Sequence, residues 1–419
     1  MFKKILCVIC LAIHMSFWSF LDAMIDNKYL DQYLLYRPFV IYNGGKHHFD
    51  IQPFVMTAHS ASGDNKDESP ELFEINGKYD QIKIDQALQS SGRTDTSLLR
   101  SDFRNSVNAI PWFMRGRFEA YGIGFRGEYM ITDAWGIGGV LYAIHASSRM
   151  EMVQNKEALK GIVLGAGDAQ ELLVLNERMH QLLGVTPPLW SKTAFGDIDA
   201  YIVGKKIYDY AYKCKHIELA VKAGVLVPTA PSRSINNPAS IPLGGNGHWG
   251  MYGMLDTYFL LKEDFSCGFL LQLSKRFAKT YCDRVPSGQE PTIYGAIVEQ
   301  IRTDPGLTVG FAPYFTFERV RDGLGFGLGY TLVSHSGDQL PEVFKHSNNI
   351  SVNTDIVERI SSWKSEYVTL RAFYDCAFDC ERAGASPVVS FMWDIPVNWL
   401  IAQRSYKTQG IAFIVESRF

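Results

Sequence analysis

The strict two-residue alternation of residues 117–131 constrains this chain more than any other feature. Tyr121, Ile123, Phe125, Tyr129 and Ile131 fall on one face, and Ala120, Gly122, Gly124, Arg126 and Glu128 on the other. A strand sends successive side chains to opposite sides, so a period of two separates two environments. Here one face is bulky and apolar while the other mixes glycine with opposed charges. A soluble sheet alternates too, but its polar face is rarely so rich in glycine beside opposed charges. The pattern fits a strand with lipid on one side and a polar lumen on the other.

The same code recurs. In residues 265–279, Cys267, Phe269, Leu271 and Leu273 oppose Ser266, Gly268, Leu270, Gln272, Ser274 and Arg276. In residues 307–318, Val309, Phe311, Phe315 and Phe317 oppose Thr308, Gly310, Tyr314, Thr316 and Glu318. In residues 324–332, Leu324, Phe326, Leu328, Tyr330 and Leu332 oppose Gly325, Gly327, Gly329 and Thr331. Weaker candidates lie at 48–58, 135–148, 195–207, 216–227, 249–262, 365–375, 387–399 and 409–419, with the phase near Pro396 ambiguous. The total is about twelve, and single-chain bacterial barrels carry an even number. The expected fold is therefore all-β, an antiparallel transmembrane β-barrel of about 12 strands with long external loops and one loop helix.

Connection lengths test this independently. Residues 132–134, 208–215, 263–264 and 320–323 are short connections, whereas those beginning at 60, 151, 228, 282 and 336 are long. Alternating short and long connections match periplasmic turns and external loops, with both termini periplasmic. A solenoid or propeller would repeat at a fixed period, and none is visible. Asp168, Ala169, Gln170 and Glu171 resemble a capping box ahead of Leu172, Leu175, Met179 and Leu182 or Leu183, with Gly184 as the stop, which predicts an amphipathic helix in a loop. It has three places to go: against the barrel mouth, inward as a constriction, or as padding of an external loop. Residues 80–88 read as a shorter second helix.

Two lysines followed by an apolar run over residues 5–20, with Leu21 and Ala23 at the −3 and −1 positions, predict a signal peptide over 1–23. Residues 24–46 then form an N-terminal periplasmic segment, and 47–419 the transmembrane β-barrel. Aromatic residues make up 13% of the chain, which suits interfacial girdles. A net charge of −3 without a basic patch points to no nucleic acid partner. Beyond the leader remain Cys214, Cys267, Cys282, Cys376 and Cys380. Cys376 and Cys380 are a candidate local disulfide in an oxidising compartment. No second paired-cysteine motif accompanies them, so no metal site and no cofactor is predicted.

At the C-terminus, Ile411, Phe413, Val415 and Ser417 share a face that ends on Phe419. This resembles the insertion signal of outer-membrane barrels, with Ser417 departing from the usual aromatic, and implies the barrel-assembly machinery as a partner. Arg126, Glu128, Glu218, Lys222, Asp256, Arg276 and Glu318 would line the lumen on the phases above, and their mixed signs argue against strong ion preference. The segments "AGVLVPTAPS" (223–232), "PLGGNGHWG" (242–250), "LLKEDFSCGF" (260–269) and "WSKTAFGDID" (190–199) together resemble the outer-membrane family linked to phenol meta-pathways and to transport of hydrophobic compounds. The resemblance spans about a quarter of the chain. It implies a porin-like or transporter-like barrel in the bacterial outer membrane, in contact with its lipid, that passes or binds small hydrophobic molecules. The related fatty-acid channels place a plug before their first strand; residues 24–47 are too few for one, unless the loop from Ser60 takes that part.

A lipid hydrolase built on such a barrel would need a Ser, a His and an orienting polar group together near the outer edge of the bilayer. His335-Ser336 and His346-Ser347 invite that reading, but both lie in a polar loop where such residues are ordinary. The rival to a channel is a structural or surface-interaction barrel with a closed lumen and partner-binding loops.

Overall fold

The computed structural model describes residues 47–65, 68–101, 108–155, 168–209, 214–262, 264–344, 352–376 and 386–418. The proposed leader, the periplasmic segment, Cys380, His346, Ser347 and Phe419 lie outside these residues.

The chain enters on strand β1 (His47–Ala58) and passes through an external segment holding the two-residue β2 (Tyr79–Asp80) and helix α1 (Gln81–Ser90). It returns on the hairpin of β3 (Pro111–Met130) and β4 (Trp135–Gln154). A second external segment carries α2 (Asp168–Leu183) and leads to β5 (Leu189–Phe195), β6 (Ile198–Asp209) and β7 (His216–Val227). Next come β8 (Gly250–Lys262) and β9 (Phe265–Arg276), then external β10 (Lys279–Val285) and β11 (Ile297–Asp304). The remainder is β12 (Leu307–Arg321), β13 (Leu324–His335), external β14 (Gln339–Phe344) and α3 (Thr354–Ser361), β15 (Trp363–Asp375), β16 (Ser386–Pro396) and β17 (Gln409–Arg418).

Twelve of these strands close into one antiparallel barrel, in the order β1, β3, β4, β6, β7, β8, β9, β12, β13, β15, β16, β17. The first and last strands seal it, with His48 opposite Arg418 and Thr57 opposite Gln409. Closure leaves no row of backbone amides facing hydrocarbon, which is the condition for crossing a bilayer with strands. Phe326, Leu328, Ile202, Phe413 and Val415 are exposed on the outer surface. Exposed aromatics rim both ends: Tyr129, Trp135 and Tyr374 on the side of the short turns, and Tyr121, Trp249 and Trp399 on the other. Among the described residues no helix is long and apolar enough to cross a membrane.

Several expectations need correction. β3 and β4 run 20 residues each, well beyond the alternating core of the pattern, and lift a two-stranded wall above the apolar belt. The strand predicted over 195–207 is β6, which begins only at Ile198 and first pairs β4 at Asp199; Phe195 ends a separate strand, β5, that pairs β4 from Leu189, and Gly196 and Asp197 break the run between them. Pro396 closes β16 instead of interrupting it, opposite Tyr367. Three strands in the long connections, β10, β11 and β14, form a second sheet, and α3 is a further helix; neither stood out in the sequence.

The predicted helices are present in an external cap. Asp80 caps α1 by accepting from the Ile82 amide and pins the start of β3 by accepting from Ile110. α2 turns Leu172, Met179 and Leu183 inward, and Gln81 of α1 donates to the Leu172 carbonyl. Of the three places open to this helix it takes the one against the barrel mouth, where Leu172, Met179 and Leu183 share a core with the inward residues of β1, β3 and β4.

Candidate functional site

The barrel interior has two tiers. In the outer half the inward residues of β1, β3 and β4 are Phe54, Met56, Phe118, Ala120, Tyr142 and Ile144, all buried with the cap in one core. Phe73, from the 3-10 turn Leu72–Asn76, comes close enough to Gly116 of β3 that an added Cβ there would lie 2.5 Å from its ring. The loop after Ser60 thus enters the outer mouth. The expectation of a small or polar inner face fails at Phe54, Met56, Phe118, Tyr142 and Ile144, where the cap supplies an apolar partner that water would not, and holds at Ala120 and Ser148 and, on β9, β12 and β15, at Ser274, Thr308 and Ser365.

The periplasmic half is polar and paired. All seven charges singled out in the sequence sit on the inner face. Arg126 Nε lies 2.7 Å from Asp50, and Glu128 holds Lys222 at 2.8 Å and also Lys205. Glu318 accepts from Tyr258 (2.8 Å) and Ser266 (3.3 Å). Asp256 accepts from Tyr314 at 3.4 Å, and Glu218 is buried nearby on β7. Arg276, at the outer end of β9, pairs with Asp197 at 3.0 Å and donates to the His248 carbonyl at 2.6 Å, away from the other six. Sequence reasoning missed Asp50, Lys205, Arg371 and Glu416, although the last two form another interior pair (3.3 Å) reached by His48 at 3.0 Å. Their alternation was present but fell in the segments with the weakest apolar faces. A buried ion is costly unless paired; Arg126, Glu128, Lys205, Lys222, Arg371 and Glu416 are paired as ions, and Glu318 and Asp256 accept from hydroxyls, so this tier is not a ring of one sign.

The interior glycines make room for tyrosines. Gly138 lies opposite Tyr201, Gly224 opposite Tyr252, and Gly268 opposite Tyr314. A Cβ on these glycines would approach the facing ring to 2.4, 2.4 and about 2.6 Å, so each ring lies flat across its neighbour's bare backbone. The hydroxyls then donate to Glu128, Asp199 and Asp256 respectively.

Between cap and barrel is a cavity of about 200 Å3. Ile301, Leu340, Val357, Ile360 and Trp363 give it an apolar side, while Arg233, His248, Arg276, Tyr281, Arg284 and Asp338 give it a polar one. Arg284 donates to the carbonyls of Ile235 (2.5 Å), Gly295 (3.1 Å) and Leu183 (2.9 Å), tying three connections together. Burial, with repulsion from Arg93 and Arg233, pulls its guanidinium down to about 10, leaving it charged at neutral pH. Gly245 lies against the Arg276 guanidinium, where any Cβ would collide with it.

His335 on the cavity wall is no partner of Ser336. Its Nδ1 meets Thr308 Oγ1 at 2.7 Å and its Nε2 meets Asp338 at 2.9 Å, while Ser336 Oγ is engaged by Leu307. Asp338 also accepts from the Gly306 amide, and its own amide donates to Ser361. Burial works against the Asp338 carboxylate, but the bond from His335 holds it below the ordinary range. The group is a clasp joining β12, β13 and α3. Among the described residues no cluster of His, Cys, Asp or Glu is placed to hold a metal.

A closed, even-stranded antiparallel barrel with an apolar belt, aromatic rims and short turns at one end is the architecture of bacterial outer-membrane proteins. No family model matches the chain, and no curated protein matches it. Solved structures of similar outline include an outer-membrane channel from Pseudomonas putida F1, 9% identical, covering 90% of this chain and 97% of that one with a TM-score of 0.49. The toluene transporter TbuX of Ralstonia pickettii is 12% identical over 90% of each chain, with a TM-score of 0.34. A FadL homologue of Pseudomonas aeruginosa is 10% identical over 89% of each, with a TM-score of 0.32. What places this chain among outer-membrane barrels is its own closure and belt.

Proposed function

We propose that the chain is a passive channel that binds small, predominantly hydrophobic molecules and lets them cross the outer membrane. The observation that carries this reading is the cavity between cap and barrel, a partly apolar space enclosed by cap segments on one side and by Ser274, Thr308, His335 and Trp363 of the wall on the other. Small-molecule sites are concave, mostly apolar and furnished with a few polar groups that orient the ligand. The six inward charges of the periplasmic half stand in this reading as the polar lower lumen, where the ion pairs at Arg126 and Glu128 present both signs and give little preference for either. Interior ion pairs favour the rival, a sealed barrel whose cap binds a partner.

Swelling of liposomes containing the purified barrel, with solutes of graded size and polarity, separates the two. Flux of small apolar or amphiphilic solutes, slowed as size increases, is the expected result. No flux for any solute sinks the channel. We also propose that the outward face Ile411, Phe413 and Val415, ending at Phe419, is read by the barrel-assembly machinery. Phe413→Ser together with Phe419→Ser should leave more unassembled chain in a reconstituted insertion assay, and equal insertion would refute the signal.

A further inference from the structure

A second cavity lies outside the barrel. The first part of the connection after β16, to Ala402, folds back over the outer surface of β15 before the chain joins the cap at Ser405 and Tyr406. Glu366 is the reason. Its side chain points outward from β15 yet is 1% exposed. It accepts from the amides of Trp399 (2.9 Å), Leu400 (2.9 Å), Ile401 and Ala402 (2.7 Å), and from the Tyr330 hydroxyl (2.9 Å). A carboxylate with that many donors is well satisfied away from water. The pinned connection stacks Trp399 on Tyr330 at 5.8 Å and leaves Trp399 and Leu400 largely exposed.

Between this connection and the wall runs a cleft of about 340 Å3, bounded by Phe315, Leu328, Tyr330, Val368, Trp399 and Leu400. Its lining is almost wholly apolar, and apolar cavities do not hold water. The Glu366 contacts keep it from collapsing. It sits in the apolar belt toward the outer rim, where the surrounding medium is hydrocarbon. Lys364, on the same outward phase of β15, lies four residues toward the rim from Val368, or roughly 13 Å at strand rise. A cation at that distance suits the phosphate of a lipid whose chain occupies the cleft.

We propose that this cleft is a binding site for one acyl chain of an outer-leaflet lipid. The barrel is purified into a short-chain detergent, exchanged extensively, and then supplied with phosphatidylcholine before native mass spectrometry. One acyl lipid should remain per wild-type barrel, and Val368→Phe, which fills the cleft floor, should reduce retention at least several-fold. Trp399 emission, isolated as the difference between wild type and Trp399→Phe, should be quenched by vesicles of dibrominated phosphatidylcholine. Heat-modifiable migration confirms that each variant is folded. Equal retention by wild type and Val368→Phe overturns the site, as does unquenched Trp399 emission. Retention of a small solute in place of a lipid overturns it too.

Discussion

At the scale of single residues, the glycine and tyrosine pairs of the inner wall make the sharpest claim. Gly224→Leu would drive a side chain into the Tyr252 ring and break its bond to Asp199. Overpacking of this kind costs about 1–3 kcal/mol. A lower midpoint for heat-modifiable migration is the expected outcome. Gly127→Leu is the control, since a Cβ there meets nothing within 4 Å. If both variants behave alike, the pairing has no energetic content. His180 supplies a pH dependence in the cap. Burial pulls its imidazole down to about 4, and Tyr79 contacts it at 3.0 Å. Because the folded value lies below that of the free side chain, about 6.5, the folded state binds fewer protons. The stability this residue gives the cap is therefore complete above pH 6.5 and lost as the pH falls from there through 4. Hydrogen exchange of α2 between pH 7 and 4 should show the loss, and His180→Phe should flatten it.

At the scale of elements, what could be read from the sequence depended on whether an element met a uniform medium. The strands with the clearest alternation, β3, β9, β12 and β13, turn one face outward, and where that face lies in the apolar belt a single medium imposes one rule on it. The inner face obeys no single rule. Its outer half packs on the cap along β1, β3 and β4, so Phe118 and Ile144 point inward where small or polar residues were expected. β10, β11 and β14 went unseen because they face other cap segments, and their side chains report those neighbours and not a medium. The break after β5 escaped notice for a related reason: Gly196 and Asp197 look like strand residues until Tyr142 is seen lying against the former, and Ala230 and Gly245 donating to the latter. Of the candidate site, the charges were legible from phase alone, whereas the cavity was not, because it joins residues from connections distant in sequence. One element carries its own test. Glu366→Ala leaves four amides of the connection after β16 without their acceptor, and each orphaned group costs about 1–3 kcal/mol where water cannot replace it. Proteolysis between residues 397 and 402 should become several-fold faster while the barrel still migrates as folded; unchanged cleavage would mean that something else pins the segment.

At the scale of the whole molecule, the cap governs access to the lumen. Arg284 joins α2, the connection before β8 and the turn before β11 through carbonyl oxygens alone. Arg284→Met keeps the bulk and removes every donor. The cap should loosen over an intact barrel, and solute flux in swelling assays should rise. Flux that stays the same would place the barrier in the paired lower tier instead.

The second sheet has a consequence for how the molecule would come apart. β10 and β11 belong to the connection between β9 and β12, whereas β14 belongs to the one between β13 and β15, yet they share a ladder from Gln300 to Phe344. A protease that nicks one of these connections cuts the chain without freeing a piece, because the severed end stays hydrogen-bonded to a segment rooted elsewhere in the wall. Two cleavages in different connections are needed before the cap can lift, so the molecule tolerates surface damage as a woven lid does, by never depending on one thread.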